Sequence, residues 1–185
     1  MGVARVPRAA DSVSISLAGL QAGMAAAWWL LLWLGINAVW RQSSFWTAEN
    51  LWASTFHGAG AIHRGFSVST LSGLALYLLV YSVLGGIFAA IVRSNVARLR
   101  LLLIGIVWAV GWYYLLFHVI WQAVSPLVTL LHAAQPTLLG HVIYGAALAQ
   151  FPRFLPAISA PPSAEPVPVP AVAESGPEFS SGTEG

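Results

Sequence analysis

Three stretches without a formally charged side chain decide what this chain can become: residues 17–40, 69–92 and 101–124. Each holds 24 residues, and about 20 predominantly apolar residues in a helix cross the hydrocarbon core of a bilayer. A soluble domain carries about 25% charged residues, whereas 8% of these 185 residues are charged and 58% are hydrophobic. Water cannot solvate that much apolar surface, so lipid is the expected solvent.

The stretches organise the rest. Residues 1–16 form a polar arm with Arg5, Arg8 and Asp11. Arginines before an apolar run, and the small residues Ala25–Ala27, resemble a secretion signal. The run nevertheless continues to Trp40, well beyond the roughly 7–15 residues of a signal core. Residues 41–67 read as a polar, aromatic connection. Phe45, Trp46, Trp52 and Phe56 in it suit a short helix lying among headgroups or an ordered loop with aromatic anchors. After the third span, Ser125-Pro126 is a helix start, with serine as N-cap and proline first in the helix. It opens a short outer cap that Pro136 should end. A fourth span is expected over 137–155. The remainder, 156–185, has seven prolines and four glutamates among small residues, a composition that builds no core and reads as a disordered cytoplasmic tail.

The expected architecture is an all-α membrane protein. A four-transmembrane-helix bundle over 17–155 carries a short outer cap helix and a disordered C-terminal tail. Arginine sets its orientation. Arg5, Arg8, Arg93, Arg98, Arg100 and Arg153 fall on one side of a four-span layout, and Arg41 and Arg64 on the other. Positive residues stay cytoplasmic, so both termini of this multi-pass chain are expected in the cytoplasm. All five histidines then lie at the outer side.

Several chemistries fall away on composition. Without cysteine there is no disulfide, thiolate metal site or cysteine nucleophile. Every basic residue is arginine, so no lysine forms a Schiff base. A scattered net charge of +2 argues against nucleic acid. Glu49 is the only carboxylate between Asp11 and the tail, which leaves paired-carboxylate catalysis and most ion-coupled transport without their groups. No phosphate-binding glycine loop or nucleophile elbow stands out.

Histidines are the remaining candidates. His118 and His141 sit at matching depths on consecutive antiparallel spans, with Tyr114 and Tyr144 on their respective faces by helical spacing. Two facing imidazoles suit axial ligation of a haem b, or a transition metal shared with His57, His63, His132 or Glu49. The bland alternative, histidines bonded to tyrosine, carbonyl or headgroup, carries more weight. Small-residue pairs recur at four-residue spacing: Gly19 and Gly23, Ser82 and Gly86, Gly105 and Ala109, Gly145 and Ala149. Such pairs let helix backbones approach in lipid. Trp28, Trp29 and Trp33 fall near the middle of the first span, where an indole N–H wants a partner, while Trp40, Trp46, Trp52 and Trp121 suit an outer aromatic belt.

The segments FWTAENLWASTF, LSGLALYLLVYSVLGGIFAAIV, WYYLLFHVIWQAVSPL and LLGHVIYGAALAQFPR together resemble a family of uncharacterised bacterial four-span integral membrane proteins. Those proteins end their last helix in a His-x-x-Tyr-Gly motif, and the resemblance covers roughly residues 17–153. Many members carry a histidine where Tyr77 stands here, a departure that weakens any histidine-pair role in the second span. The resemblance implies architecture and no activity.

Three functional classes survive. The first is a non-catalytic subunit or scaffold packed within a larger membrane complex, with the bilayer and either other membrane proteins or further copies of the chain as partners. The second is a haem- or metal-binding redox subunit using His118 and His141. The third is a small transporter or lipid-handling protein. Catalysis is not expected.

Overall fold

A computed structural model describes residues 9–92 and 96–155, with side chains from residue 12. Arg5, Arg8, Arg93 and the proline-rich segment from Pro156 lie outside the described residues. Every described element is helical: α1 (Ala9–Trp40), α2 (Thr47–His57), α3 (Val68–Val92), α4 (Arg98–Leu115), α5 (Trp121–Val124), α6 (Pro126–Leu131) and α7 (Ala134–Leu148). A π-helical segment, Leu116–Ile120, joins α4 to α5. The result is one apolar rod of 27 residues, Arg98–Val124.

Among the described residues three helices, not four, are long and apolar enough to cross a membrane: Ser12–Trp40, Val68–Val92 and Arg98–Val124. The expected fourth span is corrected by α7, whose 15 residues rise only about 22 Å against a core of about 30 Å. Its end is local in origin. Beyond Leu148 the backbone passes through a turn at Ala149 and Gln150 into the 3-10 segment Phe151–Phe154. Pro152 there lacks the N–H that a continuing α-helix needs. The cap also divides differently from expectation. α6 stops at Leu131, and Pro136 lies inside the first turn of α7 rather than ending the cap. A first-turn N–H has no partner within its helix, so proline is tolerated there. Ser125 takes the N-cap position of α6 but makes no capping bond through its side chain.

Packing is antiparallel and led by glycine. α1 lies against both α3 and α7, and α7 lies against α4. A Cβ added at Gly23 would sit 2.6 Å from the Tyr81 carbonyl oxygen, and one at Gly19 would sit 2.5 Å from that of Gly85. A Cβ at Gly85 would clash in turn with Gly19 and Gly23, so backbone meets backbone along this seam. Gly105 and Gly145 form the matching contact between α4 and α7. In lipid no hydrophobic effect draws helices together, so close van der Waals approach of this kind carries the association.

The connection between α1 and α3 is ordered rather than a surface loop. α2 packs on α3 at Gly73, which touches the Glu49 carbonyl directly. The Thr70 hydroxyl donates to Asn50 Oδ1 at 2.7 Å, while Asn50 Nδ2 donates to the Arg64 and Gly65 carbonyls. Gly58, at φ 69°, ends α2 in a conformation that side chains disfavour. The connection's aromatic residues do not share one face: Trp52 is buried, Phe56 exposed, Phe45 covers Gly35, and Trp46 packs on Phe66.

The seam gives a direct test. Gly85→Ala is expected to lower the thermal midpoint, corresponding to about 1–3 kcal/mol of overpacking. Gly111→Ala, with nothing within 4 Å of its added Cβ, should leave the midpoint unchanged or raise it. Equal behaviour of the two variants in a melting experiment would remove the seam from the argument.

Candidate functional site

Two structures meet at the α1–α2 end of the bundle: a buried chain of polar aromatic side chains, and a cavity beside it. The chain begins at His141, fully buried on α7. Its Nδ1 lies 2.7 Å from the Thr137 carbonyl oxygen, one helical turn back. A carbonyl only accepts, so Nδ1 carries the proton and Nε2 is left as acceptor. The Tyr81 hydroxyl of α3 donates to that Nε2 at 2.8 Å. Tyr77, one turn earlier on α3, stacks on Tyr81 with ring centroids 4.4 Å apart. The Tyr144 hydroxyl donates to the Tyr81 main-chain carbonyl at 2.7 Å. His141 and Tyr144 thus clamp α7 onto one residue of α3, although α1 is the helix lying against both.

The cavity, about 210 Å³, opens between the C-terminal end of α1, the start of α2, and the α6–α7 turn. Its inner wall is aromatic: Trp52, Tyr77, Tyr81 and Phe117. Its polar contributors include Asn37, Arg41, Ser43, Thr47 and His132. Arg41 is exposed, and the sole described carboxylate does not line the cavity. Trp33 Nε1 donates to the Pro136 carbonyl at 2.9 Å, which pins α7 to α1 just below the opening.

The histidines expected to face one another are separated. His118 is exposed, and its ring stacks on Tyr114, with centroids 5.6 Å apart. The Tyr113 ring is in contact with both His118 and His141, and both His141 ring nitrogens are engaged. His132 packs on Phe117 with centroids 4.2 Å apart. Its Nδ1 bonds the Thr129 carbonyl at 2.7 Å, and Tyr113 reaches its Nε2 at 3.4 Å. His57 is exposed and bonds Ser72 at 3.0 Å, and His63 is exposed in the loop after α2. Among the described residues no three histidine, aspartate or glutamate side chains converge as a metal site. Tyr144 is fully buried, while Tyr114 faces outward. Tyr81 and Tyr113 carry more of the site than sequence reasoning gave them. The four-residue spacing of Tyr77 and Tyr81 was a readable signal of a shared aromatic face.

Glu49 stands apart. It is 2% exposed, and its Oε2 meets no hydrogen-bond partner. Burial pushes its carboxyl up from 4.5 to about 7, opposed by a bond to its own main-chain N–H. Burial also lowers the His132 imidazole below its usual range, while the Thr129 carbonyl acts in the opposite direction.

No family model, curated protein or solved structure matches the chain.

Glu49 makes the fold pH-sensitive in a definite sense. An exposed glutamate loses its proton near 4.5, the folded one near 7, so stability falls as pH rises between these values and then levels off. Histidine 132 contributes with the opposite sign, losing stability as pH falls through its range, so the informative quantity is a difference. The melting temperature of Glu49→Gln should match the parent at pH 4.5 and exceed it at pH 8. A difference that does not grow with pH would sink this account.

Proposed function

We propose that the protein is a non-catalytic membrane protein that binds the end of a single-chain anionic amphiphile in the cavity between α1, α2 and the α6–α7 turn. The observation that carries this reading is Arg41, an exposed guanidinium bordering a cavity whose inner wall is aromatic. Arginine offers five donors in a planar fork suited to carboxylate or phosphate. The buried phenols are largely committed to one another's helices, with Tyr81 bonded to His141 and Tyr144 to the Tyr81 carbonyl. The interior therefore presents ring faces to an apolar chain. At about 210 Å³ the space is smaller than the roughly 300 Å³ of a typical drug-sized pocket, which favours one chain end over a whole diacyl lipid.

The same reading takes in the resemblance to the bacterial four-span family, since His141 and Tyr144 of the His-x-x-Tyr-Gly motif both bond Tyr81. It also keeps the expected orientation. Arg98, Arg100 and Arg153 belong to one end of the bundle and Arg41 and Arg64 to the other. The arginine-rich end is thus cytoplasmic and the cavity faces outward from a bacterial inner membrane.

A second reading, a subunit of a larger membrane assembly, is favoured by Trp28 and Trp29. They are 52% and 59% exposed near the middle of α1, where lipid offers an indole N–H no acceptor and a neighbouring protein does. Replacing both by leucine should then lower the mass of the assembly seen by native mass spectrometry. An unchanged mass removes this reading.

For the amphiphile, titration of the protein in nanodiscs with dodecyl phosphate and with dodecanol is decisive. Arg41→Gln should weaken dodecyl phosphate about tenfold, or about 1.4 kcal/mol, and leave dodecanol unaffected. Undiminished phosphate binding by that variant would overturn the proposal.

A further inference from the structure

The opposite end of the bundle holds a second cavity with a different chemistry. α4 and α7 touch main chain to main chain at Gly105 and Gly145, where a Cβ on either residue would lie 2.5 Å from the other's carbonyl oxygen. Beyond that contact, toward the start of α4 and the end of α7, the two helices enclose a cleft of about 560 Å³. Its floor is apolar, with Leu101 and Leu102 facing Ala146 and Ala149. Arg98, Arg153 and Gln150 also line it.

We propose that this cleft binds the phosphate headgroup of an anionic glycerophospholipid. Gln150 Oε1 accepts from Arg153 Nη1 at 2.8 Å, which steadies that guanidinium and leaves its other donors free. Glu49, the only carboxylate among the described side chains, belongs to α2 near the other cavity, so no described acid neutralises either arginine. Two arginines suit a phosphate because each fork can donate two parallel bonds to its oxygens. Basic pockets between helices on the cytoplasmic side of a membrane hold anionic headgroups in this way.

The floor decides between a lipid and a soluble anion. Leucine and alanine side chains below the arginines offer nothing to inorganic phosphate, but they accommodate the first methylenes of an acyl chain. The position also fits, because Arg98 begins the membrane-length rod and Arg153 follows the last helix. Both therefore sit where a bilayer places its phosphates. This inference is independent of the amphiphile cavity, which has other walls and lies at the other end.

Native mass spectrometry of the full chain in a neutral maltoside detergent tests it, with phosphatidylglycerol, phosphatidylcholine and inorganic phosphate as probes. Phosphatidylglycerol should bind about tenfold more tightly than phosphatidylcholine, and Arg98→Gln with Arg153→Gln should abolish that preference. Arg100→Gln removes the same charge on the same turn of α4 but outside the cleft lining, and it should keep the preference. If the double variant does not fold, each single variant should still weaken phosphatidylglycerol about threefold. Three results would overturn the proposal: an equal loss in Arg100→Gln, equal binding of the two lipids, or displacement of phosphatidylglycerol by millimolar inorganic phosphate.

Discussion

Backbone contact between glycines is the interaction on which the rest of this molecule depends. α1 meets α3 where Gly19 and Gly23 face Gly85, and α7 meets α4 where Gly105 faces Gly145. Each contact brings main chains closer than any side chain permits, and dispersion at that separation supplies the association that water would supply for a soluble bundle. Their placement also sets the polar interior. On α3, one turn from that seam, Tyr77 packs on Trp52 and Tyr81, and Tyr81 meets His141 and Tyr144 of α7.

That polar interior is sparse but well connected. Tyr81 is its hub, offering its hydroxyl to His141 and its carbonyl to Tyr144. The Thr137 carbonyl completes the set by accepting from the imidazole Nδ1–H. An unpaired polar atom is costly away from water, so four residues that satisfy one another define the rotation of α7 against α3 more sharply than apolar packing does. Among the described residues Glu49 is the titratable exception, a buried carboxyl with an oxygen left unpaired, beside the unpartnered Thr55 hydroxyl and the indole N–H groups of Trp108, Trp112 and Trp121. It is also the group whose protonation separates two stabilities of one fold.

Much of this was legible in the residues, and the parts that were not have identifiable causes. Long uncharged runs announced α1, α3 and the rod from Arg98, because lipid demands both length and apolarity. The small-residue spacings at Gly19 and Gly23, and at Gly145, marked real seams. On α3 both Ser82 and Gly86 lie in the contact, and Gly85, outside the expected pair, joins them. The last span failed because a single run of apolar residues hides the break at Ala149, Gln150 and Pro152. The pairing of His118 with His141 depended on which face of the rod points inward, and spacing within one helix does not decide that. Tyr114 and His118 do share a face, as their spacing indicates, but that face points outward, while Tyr113, Phe117 and Trp121 turn inward. Spacing along one chain also says nothing about which tyrosine on another helix will claim a ring nitrogen, so Tyr81 was out of reach.

The short α7 has a consequence for the surrounding bilayer. The apolar run of α1, residues 17–40, extends about 36 Å along its axis, while the 15 residues of α7 beside it rise only about 22 Å. The molecule therefore has an uneven hydrophobic girth. The long flank fits within the hydrocarbon only by leaning, and lipids beside the short flank must shorten or let headgroups sink toward it. Mismatch of that kind costs a fraction of a kilocalorie per ångström, and it acts on every lipid along the flank. A protein so shaped thins its own neighbourhood on one side, and it will partition toward thinner membrane wherever two thicknesses compete.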